Sequence, residues 1–288
     1  MTADDKPRPK LRFRLEAFPE RFSLPPRPTS ATAAVLDAHR QTNFLLPDDL
    51  FLFERVMNVQ LQIVAENARA RSPQAAGLFT MWSRAFSSLA DACALTVRAS
   101  YSSATPLLRS ALDCIAVQRS LIADGFAEYE EWFANSVTRT KERTAIAFDI
   151  GRFGTTSALA ADERLETLYR LLSNLALPNF GPSTLLIAPD TNHQKIAAGF
   201  ADNAFHLGWA ELQTGWLNEL ASAQVQTVLD TEVFSLTATL RADAEAAVRD
   251  VAASAEGGRR CYVEAENDHF VFHNFRRTAT GQPRRIIL

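Results

Sequence analysis

Arg109 and Asp113 stand four residues apart in the run Tyr101-Ser-Ser-Ala-Thr-Pro-Leu-Leu-Arg-Ser-Ala-Leu-Asp113, a spacing that lets two side chains meet on one helical face. Projected at about 100° per residue, the segment as far as Ile122 is apolar around most of its circle, and Arg109, Asp113 and Ser120 share one narrow polar strip. A charge on so apolar a helix needs a partner. The preceding helical stretch repeats Arg84, Asp91 and Arg98 along one line. An antiparallel hairpin about Ser102 sets Arg98 near the level of Arg109 and Asp91 near that of Asp113. Two facing arginines require an anion or carboxylate between them, so Arg98 and Arg109 are the candidate ligand-binding pair, with phosphate as the natural ligand. A purely structural ion network is the simpler alternative.

Asp202 and His206 form a second four-apart pair in a stretch expected to be helical. With Trp209 nearby they suit acid–base work or part of a metal site. A buried histidine with an acidic hydrogen-bond partner explains the same spacing, and two ligands alone do not hold a metal. Glu266 and His269 have the spacing of helical di-iron proteins, but they fall in a turn and the motif has no second copy. His269 and His273 share a strand face that is better read as an edge than as a ligand set. The last thirty residues interleave Arg259, Arg260, Arg276, Arg277, Arg284 and Arg285 with Tyr262, Phe270, Phe272 and Phe275. Arginines and aromatics on a small sheet can stack bases and hold phosphates, which makes these six arginines the candidate nucleic-acid contacts. The alternative is a sheet with its aromatics against the core and its arginines in water. No phosphate-binding glycine loop, G-x-S-x-G or H-E-x-x-H occurs, so no cofactor and no metal are expected.

The run from Tyr101 to Asp113 resembles a family of helical bacterial proteins that carry a small-residue turn followed by a Leu-Leu-Arg-Ser-x-x-acidic helix. That family is in turn distantly similar to the HEPN group, which includes RNases of toxin and defence systems. The resemblance implies a helical domain, a homodimer, and a nucleic acid or protein partner. HEPN RNases place a histidine four to six residues after an arginine. None of His39, His193, His206, His269 and His273 has an arginine at that distance. The histidine-proline found in related proteins is Leu177-Pro178 here. The resemblance therefore implies a non-catalytic binding or assembly protein. The alternative is an atypical ribonuclease using Arg109, Asp113, Asp202 and His206.

The elements that would position these residues follow from periodicity and punctuation. Pro47 with Asp48 and Asp49, and Ser72 with Pro73, open two helices. Thr29 or Ser30 is expected to cap a short helix before them, reaching about Arg40. Pro106 places the N-cap of the central helix at Ser103 or Thr105, and Gly125 ends it. Further helices are predicted over Ala127–Ile150, Ser157–Ala176, Asn192–Leu229 and Thr231–Ala255, with a proline-punctuated loop between Leu177 and Pro189. Two β-type runs flank Glu266-Asn267-Asp268, and Arg284–Leu288 adds a third strand. Leu11, Phe13 and Leu15 alternate with charged residues, and the resulting strand is predicted to pair with the C-terminal hairpin.

The fold class is therefore mainly α: an antiparallel helical bundle over residues 31–256, preceded by a basic, proline-containing segment (1–30) and followed by a β element (257–288). A net charge of −3 gives no global attraction to nucleic acid or anionic membrane. Three cysteines without ligand spacing suit a reducing compartment, and the cytoplasm is the expected location. No apolar run approaches the length that spans a bilayer.

Overall fold

The computed structural model describes residues 13–135, 138–139, 146–147, 159, 161–192, 194–201, 203–254 and 260–288. The fold is mainly α, with helices α1 (Ala33–Leu45), α2 (Pro47–Glu66), α3 (Pro73–Thr96), α4 (Tyr101–Ala123), α5 (Ala127–Asn135), α6 (Glu163–Ala176), α7 (Phe180–Ile187), α8 (Leu207–Leu229) and α9 (Ala238–Ser254). Strands β1 (Thr138–Arg139) and β2 (Ile146–Ala147) form a two-stranded ladder. Strands β3 (Tyr262–Glu266), β4 (His269–Phe275) and β5 (Arg284–Ile287) form an antiparallel sheet in the order β3-β4-β5.

Local chemistry sets most helix starts. Ser72 accepts from the Ala75 amide at 3.1 Å ahead of Pro73, and Asp162 accepts from the Leu165 amide at 3.1 Å. The first helix is capped by Thr32, not Thr29 or Ser30, and runs past Arg40 to Leu45. The central helix α4 begins at Tyr101, before the expected caps Ser103 and Thr105. Ala99 turns the chain at φ 56°, and Pro106 sits inside the helix. Ser102 and Pro106 are both exposed, so water can serve the carbonyl that Pro106 leaves without an amide donor. The predicted helix from Ala127 to Ile150 ends instead at Asn135 and gives way to the β1–β2 ladder. The predicted proline loop contains α7.

The described part of the N-terminal run, Phe13 to Leu15, is not paired with the sheet. Leu11 and Arg12 lie outside the described residues, and Phe13 to Leu15 form no strand. Their alternation survives as packing: Phe13 stacks on Phe79 of α3 at 5.7 Å. Further on, Phe22 packs edge-on against Phe53 and Phe86, and its backbone exchanges two hydrogen bonds of 3.0 Å with the Asn58 amide.

Two helices share the centre. Helix α4 packs against α3, α6 and α8, while α8 contacts α2, α3, α4 and α9 and is buried along nearly its whole length. Buried amides cross-link them. Gln118 and Gln224 exchange hydrogen bonds at 2.8 and 2.9 Å, and Gln213 bonds Thr96, Thr105 and the Tyr101 carbonyl. The sheet seats on the N-terminus of α8. The Leu207 and Gly208 amides donate to the Arg277 and Arg276 carbonyls, each at 2.9 Å, supplying acceptors that a helix start lacks. Phe272 and Phe275 pack edge-on against Trp209. No helix among the described residues is long and apolar enough to cross a membrane.

Candidate ligand-binding cavity

A cavity of about 750 Å³ lies between α6, α8, the end of α9, the first turn of α2 and the start of β3. That is the size of site that takes a small organic molecule. Its floor is one stripe of α8: Glu211, Gly215, Asn218 and Glu219, spaced four, seven and eight residues along the helix so that all share a face. Gly215 makes the room, since a Cβ at this position would meet nothing within 4 Å. Leu168 and Leu171 of α6, Trp216 of α8, Val251 of α9 and Val263 of β3 give the walls their apolar area.

The polar groups are mostly carboxylates. Asp49 is held by both terminal nitrogens of Arg260, at 2.6 and 2.8 Å. Glu211 accepts the Cys261 amide at 2.8 Å and has Arg276 at 3.8 Å. Burial is the largest influence on Glu211 and pushes its carboxyl above the usual range, against the pull of the Cys261 amide, Arg276 and Arg260. Glu219 is likewise raised by burial, against Arg164, whose Nε lies 2.6 Å away. The Asn218 side chain donates to the Asp49 and Thr214 carbonyls at 3.0 and 3.1 Å, while its buried Oδ1 has no donor among the described residues. Burial also raises the Cys261 thiol, so it is not a ready nucleophile.

Of the described residues singled out as candidates in the sequence, Arg260 and the aromatic Tyr262 line this cavity, and the others lie elsewhere. Arg109 and Asp113 do meet, at 3.4 Å. Arg109 also donates to the Tyr169 hydroxyl and the Ser173 hydroxyl, each at 2.8 Å, and lies over the Tyr169 ring. Burial raises the Asp113 carboxyl and Arg109 partly offsets it. Asp91 and Arg98 are exposed. The described contacts turn Arg109 toward α6, and bring neither of these two residues to it.

Asp202 lies outside the described residues. His206 is the N-cap of α8, with φ −137° and ψ 112°, so the expected four-apart helical pairing has no helix to carry it. Its Nδ1 accepts from the Trp209 amide at 3.3 Å, and its ring packs on Phe275. Burial pushes the imidazole from 6.5 down to about 4, against Asp190 and helped by Arg277 and Arg284. His206 is a neutral structural cap at ordinary pH.

Arg259 lies outside the described residues. The other five C-terminal arginines all face carboxylates: Arg260 faces Asp49, Arg276 faces Glu211, Arg277 and Arg284 face Asp190, and Arg285 grips Glu266. On the sheet, His273 stacks on Tyr262 at 4.7 Å and lies 3.0 Å from Glu264 and 3.8 Å from Glu266. Two glutamates and a histidine converge there, but Glu264 is exposed and Arg285 already holds Glu266.

Sequence reasoning missed Glu211, Asn218 and Glu219. Their spacing is legible in the sequence, but the open space above Gly215 is not. No protein-family model, no curated protein and no solved structure matches this chain, so the cavity stands on its geometry alone.

Proposed function

We propose that this protein is a non-catalytic binding protein whose ligand is a small organic molecule held in the α6–α8–β3 cavity. The observation that carries this reading is the open space over Gly215 within a cavity of about 750 Å³. A helix buried on nearly every side leaves a gap there, lined with polar groups whose burial costs stability unless a ligand repays it. The binding role expected from the sequence is kept, but its place moves. The arginines suited to phosphate are engaged by carboxylates, and Arg109 is spent on Tyr169, Ser173 and Asp113.

The test is a thermal-shift screen of a small-molecule library against the wild type and Gly215→Phe, with circular dichroism to confirm that the variant is folded. The phenyl group extends from a position that lines the cavity, where a Cβ meets no described atom within 4 Å. Compounds that raise the wild-type Tm should lose their effect on the variant. Equal shifts in both proteins would overturn the reading, as would a library that stabilises neither.

A further inference from the structure

We propose that one face of the β3–β4 ladder binds a divalent transition-metal ion, held by His273, Glu264 and Glu266, and that zinc is the ion this donor set suits. The site is separate from the cavity and stands whether or not the cavity takes a ligand.

The ladder brings the three ligands together. Glu264 and Glu266 are two apart on β3 and share a face, and the register sets His273 of β4 opposite Tyr262 on that same face. One ligand atom from each of the three lies within 4.8 Å of the other two. His273 Nε2 stands 3.0 Å from a Glu264 oxygen and 3.8 Å from a Glu266 oxygen. Zinc bonds of about 2.0–2.2 Å at tetrahedral angles set neighbouring donor atoms roughly 3.3–3.6 Å apart, between those two distances. Tyr262 stacks on the imidazole at 4.7 Å and 11°, which fixes the direction of Nε2.

The direction of Nε2 separates a metal site from a plain ion pair. Nε2 has no hydrogen-bond partner, although the Glu264 oxygen is near enough for one. That oxygen therefore lies off the in-plane axis of the nitrogen, along which a hydrogen bond forms. A shared ion asks for such an offset: it sits on the axis about 2 Å from Nε2, and the carboxylate reaches it from the side. Nε2 is buried against the two carboxylates, and exposed Glu264 is the side chain that turns aside to admit the ion. Charge agrees with this. Among the described residues, His273 is the only ion-pair partner of Glu264. Arg285 holds Glu266 at 2.8 and 2.9 Å, but a carboxylate has about four acceptor positions, and such a partner steadies a metal ligand without replacing it. Two carboxylates against one arginine leave a negative charge for a cation to balance. The imidazole favours zinc over magnesium and calcium, which take oxygen ligands, and water completes the coordination on the exposed side.

The experiment is isothermal titration of chelator-treated protein with zinc chloride at pH 7.5, repeated with magnesium chloride. It compares the wild type with Glu264→Gln and His273→Ala, and circular dichroism confirms that each variant is folded. The wild type should bind one zinc ion per chain with Kd below about 10 µM, at least about tenfold tighter than magnesium, and each variant should lose at least about tenfold in zinc affinity. Glu264→Gln changes an exposed side chain, so it decides the matter alone if His273→Ala does not fold. A weaker wild-type site overturns the inference, as does a smaller preference over magnesium. Zinc binding that Glu264→Gln leaves unchanged marks an adventitious ion only and overturns it too.

Discussion

Arg260 holds both carboxylate oxygens of Asp49, at 2.6 and 2.8 Å, and so ties the first turn of α2 to the residue chain that enters β3. Asp49 is nearly buried, whereas Arg260 keeps part of its side chain in solvent. Removing the two partners should therefore have unequal effects. Arg260→Ala strands a buried carboxylate and should cost about 2–4 kcal/mol, with Asp49→Asn clearly less, since the neutral amide is easier to bury. Urea unfolding measures both. A loss under about 0.5 kcal/mol for Arg260→Ala would class the contact with ordinary surface pairs.

Two glycines seven residues apart on α8 should respond in opposite ways to the same substitution. Gly215→Ala adds a methyl group to open space and should stabilise by about 1 kcal/mol, the difference in helix propensity. At Gly208 a Cβ would stand 2.9 Å from Phe275 Cδ2 and 3.3 Å from the Arg276 amide. Gly208→Ala should destabilise by about 1–3 kcal/mol as the sheet is pushed off the helix. Shifts of the same sign in both would refute this packing of β4 on α8.

Acid should weaken the fold partly through His206. Its folded-state value is depressed from 6.5 to about 4, so between those limits the unfolded chain binds the extra proton. Stability from this group is full above about pH 6.5 and falls as pH drops toward 4, by about 3 kcal/mol in all. Glu211 and Glu219 act the other way, because raised carboxyls make the native state the better proton binder. His206→Asn keeps a capping oxygen without the titration. The difference in Tm between wild type and this variant should shrink or reverse below pH 6, and a pH-independent difference would rule out His206.

Arg109 should matter to stability more than its ion pair does. Arg109→Ala loses two hydrogen bonds to α6 and the Tyr169 ring contact and should cost about 1–2 kcal/mol. Its coupling to Asp113, at 3.4 Å and one-third exposed, should be below about 0.5 kcal/mol in a double-mutant cycle. A coupling above about 1.5 kcal/mol would restore the ion pair as the main contact.

How much the sequence disclosed depended on how local each signal is. Pro47 with its two aspartates, Ser72-Pro73, Gly125 and the Asn267 turn are decided within one turn of chain, and each stands where it was expected. Pro106 misled because its tolerance depends on which side of α4 faces water. The start of α8 was misplaced because its cap comes partly from carbonyls at Arg276 and Arg277, far along the chain. The cavity was illegible for the same reason. The Glu211–Gly215–Glu219 stripe is written in the sequence, but only the tertiary fold shows that no described residue fills the space above Gly215, and Asp49 finds Arg260 across 211 residues.

The most direct measurement of ligand binding in the cavity uses its tryptophan. The chain has four tryptophans, of which Trp216 lines the cavity and Trp82, Trp132 and Trp209 do not. With ¹⁵N-labelled indoles and Trp216→Phe for assignment, titration of a compound that stabilises the wild type should move the Trp216 resonance most and the other three little. A compound that binds but shifts Trp82, Trp132 or Trp209 more than Trp216 would place the site elsewhere and contradict the account.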